Sequence, residues 1–185
     1  MKASDAWSAD EVLTRARAGE ASAFAALVRR YQRSVFSIAL RMLSDRHRAE
    51  DLAQEVFLQL YRALSHIESD THLAFWLRKV TMNRAIDRMR HESHYDSEPL
   101  TEAAAIAYQV AEDDPLLRRR MAELVAQLPP AARAVVVLRY QEDLDPTDIA
   151  STLDMSINTV KSHLKRSLTL LRARVQGTAI VEDIR

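Results

Sequence analysis

Apolar residues recur at three- and four-residue spacing along most of the 185-residue chain. That is the period of a helix with one buried face. The pattern predicts a short helix over residues 10–18, stopped at Gly19 by the left-handed geometry glycine takes readily. A longer helix over 20–43 buries Phe24, Leu27, Val28, Tyr31, Val35, Ile38 and Met42 and is broken by Ser44-Asp45. The next, over 47–64, buries Leu52, Val56, Leu60 and Ala63. A polar loop covers residues 65–71, and a helix over 72–91 carries Phe75, Trp76, Val80, Ile86 and Met89. Further on, a helix over 116–128 stops at Pro129-Pro130, and Pro130 suits the first turn of one running to about residue 141. Asp145 is a good N-cap for a helix ending near Leu153, with Pro146 at its first position. Ser156 caps the last helix, expected to run to about residue 175 before a frayed tail. No strand is called for.

Composition supports helices. Two glycines in the whole chain are too few for sheets with tight turns or for phosphate-cradling loops. With no cysteine there can be no disulfide, thiolate nucleophile or Cys-ligated zinc. The six histidines are scattered, so no metal site, cofactor or catalytic constellation is expected, and the chain reads as no enzyme. No apolar run approaches the roughly 20 residues of a membrane helix, and MKASDAWSADE lacks the apolar stretch of a secretory signal. A cytoplasmic setting with no membrane contact is expected.

Net charge is zero, with 26 Lys and Arg against 26 Asp and Glu, but the charge is unevenly placed. Residues 1–91 hold 15 basic and 11 acidic side chains; residues 92–117 hold none and 7; residues 118–185 hold 11 and 8. An acidic stretch between two mildly basic ones reads either as a linker or as an acidic surface loop. We expect an all-α chain of two small helical domains, at residues 1–91 and 116–176, an acidic linker at 92–115 and a tail at 177–185.

The pair of helices either side of Asp154 has the lengths and turn of a helix-turn-helix. Ile149, Ala150, Leu153, Met155 and Val160 are apolar or small where such helices pack. Ile157, Val160, Leu164, Leu168 and Leu171 are expected to line the inside of the second helix. Its outer face carries Asn158, Thr159, Lys161, Ser162, Lys165 and Arg166, and residues 157–175 hold five basic side chains and no acid. Such a helix suits the DNA major groove, with Lys161 and Arg166 reaching bases or phosphates and Ser156 holding a phosphate at the helix start. A solvated basic face is the alternative. Asp154 stands where a glycine is usual, at an expected cost of about 1 kcal/mol for left-handed geometry.

Two N-terminal helices carry further candidates. Glu50, Asp51, Gln54, Glu55 and Leu58 form a strip opposite the core stripe, which is either solvated or a dock for a basic helical partner. The following helix sets Arg78, Lys79, Arg84, Arg88 and Arg90 against one acid, Asp87, with Phe75 and Trp76 at its start. Cations interleaved with rings suit unstacked DNA, although one of the two rings is expected in the core.

Together, AEDLAQEVF, WLRKVTMNRAIDRMR and the block from LPPAARAVVVLRY to LRARV resemble, in order and spacing, the extracytoplasmic-function class (group 4) of the sigma-70 family of RNA polymerase sigma factors. The resemblance covers most of residues 20–175. It implies a subunit that directs core RNA polymerase to promoters and assists melting. It assigns the acidic strip (Glu50, Asp51, Gln54, Glu55, Leu58) to the clamp helices of the largest polymerase subunit. It assigns the loop and the basic helix to the −10 promoter element, through Ser65, His66, Ser69, Trp76, Arg78, Lys79, Asn83, Arg84, Asp87 and Arg88, with an unstacked base held in a pocket. The C-terminal pair would read the −35 element through Ser156, Asn158, Thr159, Lys161, Ser162, His163, Lys165 and Arg166. His163 stands where relatives often carry Arg, so the −35 preference is expected to differ. In relatives the linker passes near the polymerase active centre, and an anti-sigma factor often covers the binding faces. The competing reading is a stand-alone helix-turn-helix regulator, which leaves the acidic strip without a role.

Overall fold

In a computed structural model, residues 8–92 and 115–182 are described. They form α1 (Ala9–Arg17), α2 (Ala21–Leu43), α3 (Arg46–Ala63), α4 (Asp70–Glu92), α5 (Pro115–Ala126), α6 (Pro130–Tyr140), α7 (Pro146–Leu153) and α8 (Ile157–Glu182), with one 3-10 turn at Leu64–His66. Among the described residues there is no strand.

The helix ends follow from local chemistry. Backbone N–H groups of Gly19 and Glu20 donate to the carbonyls of Ala16 and Arg15, closing α1 with Gly19 at φ +88°. A Cβ there would meet nothing within 4 Å, so the requirement at Gly19 is the backbone angle alone. Ser44 at φ 56° ends α2, and the Asp45 carboxylate accepts from the Arg48 N–H at 2.8 Å to start α3. Ser69 accepts from the His72 N–H at 3.1 Å, and His72 Nδ1 accepts from the Glu68 N–H at 3.3 Å. This reciprocal cap starts α4 at Asp70, and Ile67 in the short connection is fully buried. The polar loop expected over 65–71 is therefore mostly helix and turn. Asp145 accepts from the N–H groups of Thr147 and Asp148 at 2.7 and 2.9 Å, and these bonds hold its carboxyl below the usual carboxylate range. Ser156 accepts from the Thr159 N–H at 3.1 Å to begin α8. That helix continues through Gly177 to Glu182, past the fraying expected from residue 176, with no proline to stop it.

Helix α2 packs against α1, α3 and α4, and Leu27, Val35, Ile38 and Met42 on it are buried. Helix α6 is the second centre: every residue from Ala132 to Leu138 is buried as it packs against α5, α7 and α8. The two halves also touch directly. Helix α2 meets α5 and α6, and α4 meets α6 and α7, so one hydrophobic cluster runs from Val12 to Leu171. Of the acidic linker expected at 92–115, residues 93–114 lie outside the described residues, while Glu92 ends α4 and Pro115 begins α5.

Arg133 stitches the halves together. Its side chain is buried, its Nε donates to the Arg41 carbonyl at 2.9 Å and its Nη1 to the Ala126 carbonyl at 3.3 Å, and its Nη2 donates to Ser44 Oγ. The guanidinium thus lies on the last turn of α2, where unpaired carbonyls and the helix dipole favour a cation.

Candidate nucleic-acid and partner interfaces

Helix α3 divides its predicted strip between two neighbours. Glu50, Gln54 and Leu58 line a groove of about 880 Å³ between α2 and α3, together with Phe24, Val28, Phe36, Phe57 and Tyr61. Leu58 and Tyr61 are each 61% exposed at its edge, and Tyr61 meets the Phe24 ring edge-on with centroids 5.1 Å apart. Glu50 pairs with Arg46 at 2.9 Å, while Asp51 is exposed and does not line the groove, lying one turn before Glu55. Glu55 turns the other way. One position on from Gln54 along a helix, its carboxylate reaches α4, 2.7 Å from Arg88 Nη2 and 3.1 Å from Arg84 Nη1.

Helix α4 divides likewise. At its N-terminal half Trp76 packs against the core, as expected of one ring of the pair, and Phe75 is half-buried. Lys79 Nζ lies 2.7 Å from Asp154, the residue that closes α7 at φ 53°. Arg78 lies 3.8 Å from Glu142, and Arg41 lies 3.5 Å from the same carboxylate. Burial pushes Glu142 above the usual carboxylate range, and the two guanidinium groups pull it back only in part. Beside it, both the amide N and O of Gln141 are buried without a hydrogen-bond partner. At the C-terminal half of α4, Asn83 and Arg88 are half-buried and Asp87 is exposed. Ser65 and His66 are exposed in the 3-10 turn, whereas the Ser69 hydroxyl is occupied as a helix cap.

The outer face of α8 is open. Ser156, Asn158, Thr159, Lys161, Ser162, Lys165 and Arg166 are exposed, and His163 is half-buried. The Ser156 and Thr159 hydroxyls bond each other at 2.8 Å. The inner stripe is Val160, Leu164, Ser167 and Leu171; Ile157, expected inside, is 40% exposed at the first position of the helix.

Several contributors are absent from the sequence reading. Gln59 accepts from Arg84 Nε at 2.8 Å, and its spacing of four from Glu55 is the signal that would have found it. Tyr61 follows Leu58 by three and Phe57 by four, a spacing shared with core stripes. The roles of Arg133 and Glu142 depend on contacts with the other half of the chain, which no local pattern marks.

Comparison with known proteins places the chain in a family. The Sigma-70 region 2 family matches residues 27–95 and the Sigma-70, region 4 family matches residues 118–171. The ECF RNA polymerase sigma factor SigW of Bacillus subtilis is 29% identical over 171 residues, covering 85% of this chain and 91% of that protein. RNA polymerase sigma factor CarQ of Myxococcus xanthus is 32% identical over 162 residues, covering 86% and 93%. The fold is similar to that of the sigma factor RpoE of Bartonella quintana, solved in complex with the anti-sigma factor NepR, at 18% identity and a TM-score of 0.67 over 83% of this chain and 96% of that one.

The chain belongs to the extracytoplasmic-function class of RNA polymerase sigma factors. It is a subunit that directs core RNA polymerase to promoters in transcription initiation. No described helix is long and apolar enough to cross a membrane.

Proposed function

We propose that the chain divides this work among three faces and has no catalytic activity of its own, acting in the cytoplasm where the polymerase is. The groove between α2 and α3 takes the clamp helices of the largest polymerase subunit. Exposed Leu58 and Tyr61 supply the apolar anchor, and Glu50, Asp51 and Gln54 supply an acidic and amide rim for a basic amphipathic partner. The carrying observation is the pairing of large apolar side chains, 61% exposed, with carboxylates along one edge of one helix. A stand-alone regulator has no use for such a groove. A sequestering anti-sigma partner would be expected to cover the same groove.

Residues 1–91 form the module for the −10 element, where Arg78, Lys79, Asn83, Arg84, Asp87 and Arg88 of α4, Trp76, and Ser65, His66 and Ser69 before the helix face the opened strand. Residues 116–176 form the module for the −35 element, where Lys161, Lys165 and Arg166 hold phosphates or bases and Ser156, Asn158, Thr159, Ser162 and His163 supply hydrogen bonds in the major groove. The two modules are closed on each other, with Lys79 on Asp154 and Arg78 on Glu142. Elements centred at −10 and −35 lie about 85 Å apart on a duplex rising 3.4 Å per base pair. Reading both needs the modules to separate. The buried, unpartnered Gln141 amide and the long Glu142 ion pairs are what an interface made to open would leave.

The reading is tested by the affinity of the purified chain for core polymerase. Leu58→Glu is expected to weaken it tenfold or more, the effect of losing a central apolar anchor, without lowering thermal stability. Unchanged affinity would remove the groove from the docking site.

A further inference from the structure

The network between α3 and α4 is more elaborate than packing requires. The Glu55 carboxylate bridges two arginines a helical turn apart, Arg84 at 3.1 Å and Arg88 at 2.7 Å. Gln59, one turn along α3, accepts from Arg84 Nε at 2.8 Å. Arg88 Nη1 also donates to the Arg48 carbonyl in the first turn of α3, at 3.1 Å. Glu55, Arg84 and Arg88 keep 45, 42 and 25% of their side-chain surface in solvent. Ion pairs so exposed add little to stability. The packing of α3 is already supplied by the fully buried Leu52, Val56 and Leu60. A stabilising role alone therefore does not account for one carboxylate and one amide spent on two guanidinium groups.

What the network does is set the direction and net charge of two cations. Unpaired, Arg84 and Arg88 at i and i+4 would repel each other and sweep a wide volume. Held by Glu55 and Gln59, they stand on the wall of a depression of about 480 Å³ that Asn83, Asp87 and His91 also line. This depression presents amide, carboxylate, imidazole and guanidinium groups together, a donor and acceptor set suited to a base edge with its phosphate.

We infer that Glu55 and Gln59 are positioning residues for promoter-strand capture: they orient Arg84 and Arg88 over the depression and partly neutralise them until the phosphates of a single strand compete for the two guanidinium groups. The inference rests on the assignment of α4 to the −10 strand. In this role Glu55 faces the DNA side of α3, while Glu50 and Gln54 face the polymerase side. A strand that docks must displace a carboxylate, so weakly held, non-promoter strands gain less from the two cations than they would from free ones. Discrimination follows, because the base contacts must make up what the neutralised arginines withhold.

The test is the salt dependence of binding of a single-stranded −10 oligonucleotide, and of a scrambled one, to the reconstituted holoenzyme. Glu55→Gln keeps the shape and removes the charge. For the scrambled strand, too weakly held to displace the carboxylate of the unmodified protein, it is expected to steepen the slope of log K against log salt by about 0.7 for each arginine given over to phosphate, about 1.4 for both. It is also expected to tighten the scrambled strand more than the promoter strand. Gln59→Glu adds a competing carboxylate and is expected to make the slope shallower. A network that only joined the helices would change thermal stability and leave both slopes alone, so equal slopes in all three proteins overturn the inference. A holoenzyme without Glu55→Gln or Gln59→Glu that does not prefer the promoter strand would overturn the assignment of α4, and the inference with it. A clear preference with unchanged slopes would overturn the inference alone.

Discussion

Glu142 shows what a single charge does at the seam between the halves. Its two cationic neighbours are at 3.5 and 3.8 Å, long for ion pairs, and its side chain is only 14% exposed. Desolvation outweighs attraction, so its carboxyl is raised above the usual range. The sign of the linkage follows. A carboxyl raised in the folded state binds its proton more tightly there than in the unfolded chain. Its contribution to stability is complete below the unfolded value and is lost as pH rises through the raised folded value. Glu142→Gln mimics the protonated form. Thermal melts across pH are expected to show the two proteins alike in acid and Glu142→Gln equal or more stable, by about 2 °C, at neutral pH. A neutral-pH loss confined to Glu142→Gln would mean that the pairs with Arg41 and Arg78 outweigh burial. Asp145 has the opposite sign: its lowered carboxyl supports α7 above the ordinary carboxylate range, and that support fades as pH falls through the folded value.

At the scale of elements, most boundaries were legible because they depend on neighbours in sequence. Ser8, Asp45, Asp145 and Ser156 are capping residues by type, and each accepts an N–H from its own helix. Apolar spacing likewise picked out Leu27, Val35, Ile38, Leu52, Val56 and Leu60. Periodicity reports that a residue is buried but not against what. That is why the contacts of α4 with α6 and α7 were not foreseen, and why Tyr61, at core-like spacing, was not placed on the groove that it lines. Residue type misleads in the same way at Arg133, which reads as a surface cation and instead sits on the carbonyl end of α2, 92 residues away from Arg41 in sequence. The outward position of the candidates on α8 was legible because one helix carries them, whereas the split of Glu55 from Gln54 depends on which neighbour each side of α3 meets. Arg133→Met fills similar space but leaves the Arg41 and Ala126 carbonyls and the Ser44 hydroxyl without their donor. Urea unfolding is expected to show a loss of about 2–3 kcal/mol; a loss below about 0.5 kcal/mol would mean those groups find other partners.

Over the whole molecule, the two modules proposed to act far apart on DNA share one hydrophobic cluster. In the closed form, Lys79 and Arg78 are paired with acidic residues of the opposite module, while the outer face of α8 stays exposed. Closure therefore restrains α4, proposed to read the opened strand, and leaves α8, proposed to read duplex, available. Polymerase docking in the α2–α3 groove and promoter contact would together have to supply more free energy than the seam holds. The absence of native cysteine allows one label on exposed Ala18 and a second on exposed Leu170 through introduced cysteines. Energy transfer between them, read in the free chain and again in the holoenzyme on a promoter carrying both elements, is the most direct test. High transfer in the free chain and a steep fall on the promoter complex are predicted. Transfer that stays high in a complex shown to start transcripts at that promoter would contradict the separation of the two modules.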